Sequence, residues 1–254
     1  MTPSTEPAPR RRGAAGPSTG PAGPVADQLR RALQRAPDGQ DLVCVGGALS
    51  SGLLLEGYRT GLFAMEVRVR RRDVLGWFSP DPRGVLEPDR VHQSRTDRRL
   101  SRRFETRVDT AFDDVVAGCA DPSREGAWID DAYARTYAEL HRAGHAHSVE
   151  TWADGRLVGG LFGVVVGGLF AAESKFHVET GASKAAVVAL ARMLAAETTG
   201  PRLVDVQWST PHLASLGVGE LTRPAYLERL ATLVDVPPPA CFDPALRAAA
   251  DGTR

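Results

Sequence analysis

Three polar side chains interrupt two apolar segments in the second half of the chain. Glu173 follows the apolar run 169–172, and Asp205 and Gln207 lie two residues apart in the apolar run 203–208. Side chains at positions i and i+2 share one face of a strand, and a carboxylate there is costly to bury unless another group satisfies it. The pattern indicates a functional site, although carboxylates with purely structural partners give the same pattern.

Three histidines form a second group of candidate ligands. His141, His145 and His147 are spaced H-x-x-x-H-x-H, and two histidines four residues apart on a helix can share a metal. Gly144 is expected to end the helix, so that His145 and His147 diverge, and no third ligand lies nearby in sequence. We therefore interpret the group as helix-end capping and packing, and predict no metal site.

Arginines are concentrated in two segments of a chain whose formal net charge is zero. Guanidinium groups bind phosphate bidentately, which is typical of a nucleic-acid contact, but a solvated face gives the same pattern. The balance of 31 basic and 31 acidic residues excludes a protein that is basic over its whole surface, so any RNA contact must be local. The clusters are Arg68, Arg70, Arg71 and Arg72, and Arg95, Arg98, Arg99, Arg102, Arg103 and Arg107.

Trp128 lies between a polar loop and a predicted helix. In that position an aromatic ring can stack on an exposed base, or it can belong to the core. Tyr58 and Tyr137 have the same two interpretations.

The sequence lacks the motifs of several common classes of enzyme and of a membrane protein. Nucleophile-elbow, P-loop, zinc-protease and dinucleotide motifs are absent. Cys44, Cys119 and Cys241 are too far apart for a zinc ribbon and odd in number, which favours a reducing cytoplasm. The most apolar stretch, 157–172, contains five glycines and is shorter than the roughly 18 residues of a membrane span.

Apolar periodicity and turn residues predict a mixed α/β (α+β) protein. The segments 110–118 and 130–143 are predicted helices, and 157–166 and 169–174 form a predicted hairpin around two glycines. Further predicted elements are a helix at 49–58, strand and turn at 76–85, a helix containing Val187, Leu190, Ala191 and Leu194, a strand at 203–208 and a helix at 220–233.

The composition divides the chain into three parts. Residues 1–25 are rich in Pro, Gly, Ala, Ser and Arg and are predicted to be a disordered tail. Residues 38–95 are predicted to form a small N-terminal domain, and residues 96–240 a larger mixed domain.

Five ordered motifs resemble those of the leucyl/phenylalanyl-tRNA-protein transferase family. The resemblance extends from about Gly46 to Arg229. The motifs are Tyr58-Arg59-Thr60-Gly61-Leu62-Phe63, Phe78-Ser79-Pro80-Asp81-Pro82-Arg83, Gly144-His145-Ala146-His147-Ser148-Val149-Glu150, Leu157-Val158-Gly159-Gly160 and Pro211-His212-Leu213-Ala214-Ser215-Leu216-Gly217.

The resemblance implies a C-terminal domain with an acetyltransferase-like (GNAT-type) fold. It implies transfer of Leu, Phe or Met from aminoacyl-tRNA to proteins that begin with Arg or Lys, which marks them for degradation. No cofactor is implied, because aminoacyl-tRNA is a substrate and its ester is already activated. A cytoplasmic protein without membrane attachment is expected.

The resemblance also implies roles for individual residues. Asp205, Gln207 and Glu173 would be the catalytic group. In it, Glu173 would hydrogen-bond substrate groups, and Gln207 would be a hydrogen-bonding positioner that Asp205 orients. Trp128 would stack on the terminal adenosine of the tRNA, near Tyr58 and Tyr137. The amino-acid pocket would be formed by Leu161, Phe170, Lys175, Val187, Leu190 and Val204, and tRNA would be bound by Arg95, Arg98, Arg99, Arg102 and Arg103.

Two positions depart from the family pattern. Met65 stands where an aromatic side chain is usual, and Lys175 stands where an apolar one is usual. The lysine is expected either to reach the pocket mouth or to pair with Glu173 or Glu179.

Two other functions remain open from the sequence. A CoA-dependent GNAT N-acetyltransferase would share the core fold, but the segment 156–161 lacks the expected pyrophosphate-loop pattern. A non-enzymatic RNA-binding protein would explain the arginines, but not Glu173, Asp205 and Gln207.

Overall fold

The structure is a computed structural model, and it describes residues 24–124 and 126–245. The helices are α1 (Pro24–Gln34), α2 (Ser51–Thr60), α3 (Arg95–Ser101), α4 (Phe112–Ala120), α5 (Asp131–Arg142), α6 (Ala182–Ala195), α7 (Pro211–Ala214) and α8 (Arg223–Ala231). The strands are β1 (Leu42–Val45), β2 (Phe63–Val69), β3 (Arg72–Phe78), β4 (Arg83–Leu86), β5 (Glu105–Val108), β6 (Ala146–Ala153), β7 (Arg156–Val166), β8 (Leu169–His177), β9 (Leu203–Gln207) and β10 (Gly219–Leu221).

The strands form two sheets. The smaller is antiparallel with the order β1-β3-β2, and the larger has seven strands in the order β10-β4-β9-β8-β7-β6-β5. Neighbours in the larger sheet are antiparallel except β8 and β9, which are parallel and are connected through α6. The arrangement confirms the predicted mixed α/β class.

The predicted central elements agree closely with the observed ones. The predicted hairpin is β7–β8, and its turn contains Gly167, whose φ of 58° lies in the left-handed region that glycine adopts without strain. Helices α2, α4, α5 and α6 and strand β9 also lie at the predicted places.

The predicted helix at 220–233 is wrong at its start. Glu220 and Leu221 belong to strand β10, which pairs with β4, and α8 begins only at Arg223. Pro224 stands in the first turn of α8, where its missing N–H leaves no hydrogen bond unmade.

The domain boundaries stay a prediction. Strand β4, at Arg83–Leu86, lies in the predicted N-terminal segment but pairs with β9 and β10 of the larger sheet. The predicted disordered tail lies outside the described residues, except for Pro24 and Val25, with which α1 begins.

Capping residues define two of the helices that carry tyrosines toward the larger sheet. Asp130 caps α5, because its carboxylate accepts hydrogen bonds from the Ala132 and Tyr133 amides. Ser50 caps α2 in the same way. The buried faces of these helices carry Tyr137 and Tyr58, respectively.

An irregularity in β8 turns Glu173 out of the regular strand pattern. Ser174 pairs with Phe162, whereas Ala172 pairs with Gly163, so Glu173 is an additional residue opposite this step. Such a β-bulge bends the strand and redirects a side chain.

The parallel pairing of β8 and β9 ends close to the same bulge. It runs from Leu169–Leu203 to Ala171–Asp205 and continues no further. The two strands therefore part beside Glu173. Across the described ranges, no helix is both long and apolar enough to cross a bilayer.

We predict that Gly163→Ala destabilises the protein. A Cβ at this position would overlap the Ala171 carbonyl oxygen and the Phe170 ring, and overpacking of this kind costs about 1–3 kcal/mol. Urea unfolding should show this loss, whereas Gly219→Ala should change the free energy of unfolding little, because no atom lies within 4 Å of its added Cβ. Equal stability of the two variants would contradict the tight packing at the bulge.

Candidate active site

A cavity of about 110 Å³ lies where β8 and β9 part. Glu173 and Gln207 contribute polar groups to its wall, and α6 and the short helix α7 complete it. The lining residues are Leu161, Ala172, Glu173, Ser174, Lys175, Val187, Val206, Gln207 and Leu213.

Glu173 has a buried carboxylate, and one of its two oxygens accepts a hydrogen bond. The Tyr137 hydroxyl donates to Oε2 at 2.7 Å, and the Tyr58 hydroxyl lies 3.4 Å from that of Tyr137. The other oxygen, Oε1, is buried and has no hydrogen-bond partner among the described residues. A buried acceptor in this state is stabilised when it gains a hydrogen bond or a proton.

Burial raises the pKa of Glu173 to about 7. The hydroxyls of Tyr137 and Tyr58 and the charge of Arg83 act in the opposite direction, whereas the charge of Asp205 raises the pKa further. A carboxyl group with this pKa exchanges its proton near neutral pH, as a general acid–base group must.

Asp205 is held by a buried ion pair with Arg83. The Arg83 guanidinium donates through Nε at 2.8 Å and through Nη2 at 2.6 Å, and only 1% of Arg83 and 0% of Asp205 is exposed. The Tyr226 hydroxyl donates to the same carboxylate at 2.8 Å. The guanidinium lies between the rings of Phe63 and Tyr226, 4.9 and 4.6 Å from their centroids.

Gln207 has its backbone, and not its side chain, fixed by Asp205. The Gln207 amide N–H donates to Asp205 Oδ1 at 2.9 Å, and its φ of 62° lies in the left-handed region, which is uncommon for a residue with a side chain. The side-chain amide of Gln207 makes no hydrogen bond within the described ranges and lines the cavity. Asp205 thus orients Gln207 through the main chain.

The predicted pocket residues divide into two groups. Leu161, Lys175 and Val187 line the cavity. Phe170, Leu190 and Val204 are not among its lining residues and pack in the core beside it. An apolar pattern predicts burial for both groups alike, so it does not separate a cavity wall from the core.

Lys175 is partly buried and faces Leu161, its partner in the β7–β8 ladder. Neither of the two expected acids pairs with it. Glu173 accepts from Tyr137, and Glu179 pairs with Arg103 and Arg156.

Trp128 is partly buried at the edge of an aromatic cluster. Its ring packs edge-on against Tyr133 and Tyr137, with centroids 5.1 and 6.3 Å away. Because Tyr137 donates to Glu173, the cluster connects Trp128 to the cavity carboxylate.

The predicted tRNA-binding arginines lie on α3 and the turn that follows it. All five are exposed, and Arg103 forms an ion pair of 3.7 Å with Glu179. Helix α3 packs on α6, the helix that contributes Val187 to the cavity. The arginines are Arg95, Arg98, Arg99, Arg102 and Arg103.

The histidine group has a partner that the sequence did not indicate. Asp109 accepts from His147 Nδ1 at 2.8 Å, and His141 Nδ1 lies 2.8 Å from the Ala146 carbonyl. His141 and His147 also stack on phenylalanine rings. These contacts agree with the predicted packing role, although the ligand atoms of Asp109, His141 and His147 lie within 4.8 Å of one another. The absence of a metal stays a prediction.

Arg83 and Tyr226 are site residues to which sequence reasoning assigned no role. Arg83 is the last residue of the motif 78–83, and the motif itself does not indicate its partner. Arg83 and Asp205 are separated by 122 residues, and no local spacing connects them.

The site lies in a mixed α/β protein that holds a buried carboxylate and an amide at one partly apolar cavity. A family model described as leucyl/phenylalanyl-tRNA protein transferase matches residues 85–231. The chain belongs to this family.

Curated relatives with that name match most of the chain. One from Thiobacillus denitrificans is 47% identical over 205 residues, which cover 79% of this chain and 87% of the relative. One from Aromatoleum aromaticum is 45% identical over 199 residues, covering 77% and 81%, respectively. A solved structure of a functionally unknown conserved protein from Staphylococcus epidermidis covers 70% of this chain and 66% of its own at 12% identity, with a TM-score of 0.37, too low to assign a fold.

We predict that Arg83→Met lowers the free energy of unfolding by about 3–5 kcal/mol, because it leaves the Asp205 carboxylate buried and unpaired. Adding Asp205→Asn should recover part of the loss, since the buried charge is then removed. The matched control is Arg229→Met, which breaks a pair with Glu87 whose side chains are 29% and 33% exposed and should cost less than about 1 kcal/mol. Urea unfolding in which the two arginine variants lose equal stability would refute the importance of the buried pair.

Proposed function

We propose that this protein transfers an amino acid from aminoacyl-tRNA to the N-terminal amine of an acceptor protein. The observation that carries the proposal is the cavity between β8 and β9 in a member of this family, because its wall combines apolar side chains with Glu173, a carboxyl group that has one partner-free buried oxygen. The proposed aminoacyl groups are Leu, Phe and Met, and the proposed acceptors begin with Arg or Lys and become marked for degradation. The proposed location is the cytoplasm, and no cofactor takes part.

For this reaction the enzyme must supply a proton acceptor more than a nucleophile of its own. The acceptor amine attacks the ester carbonyl, the C–N bond forms, and the C–O bond to the ribose breaks. Glu173 takes a proton from the attacking nitrogen and returns it to the leaving ribose oxygen, which ends as a hydroxyl. The ester is already activated, so positioning and charge stabilisation supply the remaining catalysis.

Gln207 is proposed to orient the reacting groups. A neutral amide is too weak a base to remove a proton from an ammonium group, but its N–H groups can donate to the carbonyl oxygen on which negative charge develops. Its backbone hydrogen bond to Asp205 supports this role, because it fixes the backbone from which the side chain extends.

Tyr137 and Tyr58 are proposed to hold the Glu173 carboxylate. Their hydrogen bonds support this role. It differs from the role that the family resemblance implies, which places both tyrosines near the end of the tRNA. Trp128 is proposed to stack on the terminal adenosine, because its ring lies on the aromatic cluster that leads to Glu173.

A GNAT-type core is proposed for the larger sheet and its helices. The parallel pair β8–β9, which parts at the cavity, supports it. A CoA-dependent acetyltransferase is less well supported, because residues 156–161 belong to strand β7, in which 159–161 pair with both β6 and β8, and form no phosphate-binding loop.

The proposal is tested by supplying Leu-, Phe- and Met-tRNA with a peptide that begins with Arg or Lys. The peptide should gain the mass of one residue. The same peptide with an acetylated N-terminus is the control and should gain nothing. Addition of an acetyl group from acetyl-CoA, without amino-acid transfer, would establish the alternative.

We predict that replacing Arg98, Arg99, Arg102 and Arg103 with Gln weakens tRNA binding. Each lost phosphate contact should reduce the slope of log affinity against log salt by roughly 0.7 to 0.9. The matched control replaces the four exposed arginines Arg68, Arg70, Arg71 and Arg72 and should change the slope less. If the first variant keeps the wild-type slope, these arginines form only a solvated face.

We predict that Gln207→Ala and Gln207→Gly both lower single-turnover transfer by about a hundredfold, the usual cost of one preorganised hydrogen bond. Glycine adopts the left-handed backbone without strain, so equal loss in both variants assigns the effect to the amide. The affinity for tRNA should change little. Full activity of the glycine variant would remove the Gln207 side chain from the mechanism.

A further inference from the structure

The wall of the cavity contains a cation without an acidic partner. Lys175 lines the cavity, and among the described residues no carboxylate forms an ion pair with it. The two nearest acids in sequence are occupied, because Glu173 accepts from Tyr137 and Glu179 pairs with two arginines. A partly buried ammonium in this state gains if an anion enters the cavity.

The surroundings of Lys175 increase the preference of the cavity for an anion. Arg124 donates to the carbonyl oxygens of Cys119 and Lys175, both at 2.6 Å, which fixes a second positive charge nearby. Burial lowers the pKa of Lys175, and the charge of Arg124 lowers it further, whereas Cys119 acts in the opposite direction. Burial also lowers the pKa of His212, with Lys175 contributing to the same shift. This end of the cavity therefore favours negative charge.

The rest of the wall suits methylene groups. Leu161 is the direct cross-strand partner of Lys175, and Val187, Val206 and Leu213 line the same space. A ligand that fits both features has a short apolar stem and an anionic end.

We propose that the cavity of this protein admits an acidic aminoacyl side chain, whose carboxylate pairs with Lys175 while its methylene groups pack against Leu161 and Val187. The proposal rests on the proposed function and adds a substrate class to Leu, Phe and Met. The transfer reaction is unchanged, with the same C–N bond formed and the same ester bond broken.

The physical reason for this preference is that an apolar and an acidic side chain in the cavity affect the Lys175 ammonium differently. A purely apolar side chain covers the ammonium and removes its water without supplying a partner, which opposes binding. A carboxylate supplies a charge-assisted hydrogen bond to the same group. Lys175 thus shifts selectivity away from apolar groups and toward an acidic one.

The test charges one tRNA body with either Leu or Glu, so that only the aminoacyl side chain differs. Both compete for a peptide that begins with Arg, and the products are separated by mass. Wild type should form the glutamyl product, and Lys175→Met should lower the ratio of glutamyl to leucyl product by at least about tenfold, as expected for one hydrogen bond between charged groups. Lys175→Arg should keep most of the wild-type ratio.

Lys184→Met is the matched control. Lys184 is a neighbouring lysine that pairs with Asp97 at 3.4 Å and does not line the cavity. The product ratio of this variant should equal that of wild type.

Three results would overturn the proposal. Leucyl product without glutamyl product from wild type would leave the proposed function intact and refute the acidic substrate class. An equal fall of both products in Lys175→Met, with weaker binding of uncharged tRNA and a smaller salt slope, would assign the lysine to a phosphate. Transfer of neither amino acid, nor of Phe or Met, by wild type would refute the proposed function itself.

Discussion

The buried ion pair between Arg83 and Asp205 is the interaction on which the site depends. It joins β4 to β9 inside the larger sheet, and the rings on either side of the guanidinium come from β2 of the smaller sheet and from α8. Both charges are almost completely removed from water, so each is tolerable only because the other is present. One ion pair therefore connects four elements of the fold.

The same carboxylate determines the backbone at the end of β9. It accepts the Gln207 amide N–H, and this bond accompanies a left-handed conformation that a residue with a side chain seldom adopts. The neighbouring strand β8 carries the bulge at Glu173. Gly163 lies opposite this step, and a side chain there would overlap the Ala171 carbonyl oxygen and the Phe170 ring. The cavity exists because β8 bends and β9 ends at the same level of the sheet.

Much of this arrangement was predictable from local pattern. Polar residues within apolar strands marked Glu173, Asp205 and Gln207, and the turn glycines marked the β7–β8 hairpin, because both signals act over a few residues. The start of α8 was missed because Glu220 and Leu221 fit a helix locally, whereas their pairing with β4 is a tertiary contact.

Other features could not be predicted from local pattern for a related physical reason. Arg83 could not be assigned to Asp205, since their contact is made across 122 residues. Phe170, Leu190 and Val204 could not be separated from Leu161 and Val187, since burial against a cavity and burial in a core select the same side chains.

Glu173 has the central chemical role in the proposed transfer, as the group whose protonation controls the reaction. Its raised pKa of about 7 means that the carboxyl is mostly protonated at pH 6 and mostly ionised at pH 8, so a proton acceptor gains activity as the pH rises. The acceptor amine also loses its proton, with a pKa near 7.7–8.0 in model peptides, and the two ionisations must be separated.

The most direct measurement is the pH dependence of single-turnover transfer in wild type and in Glu173→Gln, with saturating aminoacyl-tRNA. Wild type should show an ionisation near 7 in addition to that of the amine, and the variant should be slower and show only the ionisation of the amine. A variant that keeps the wild-type rate and both ionisations would contradict the assignment of Glu173 as the proton acceptor.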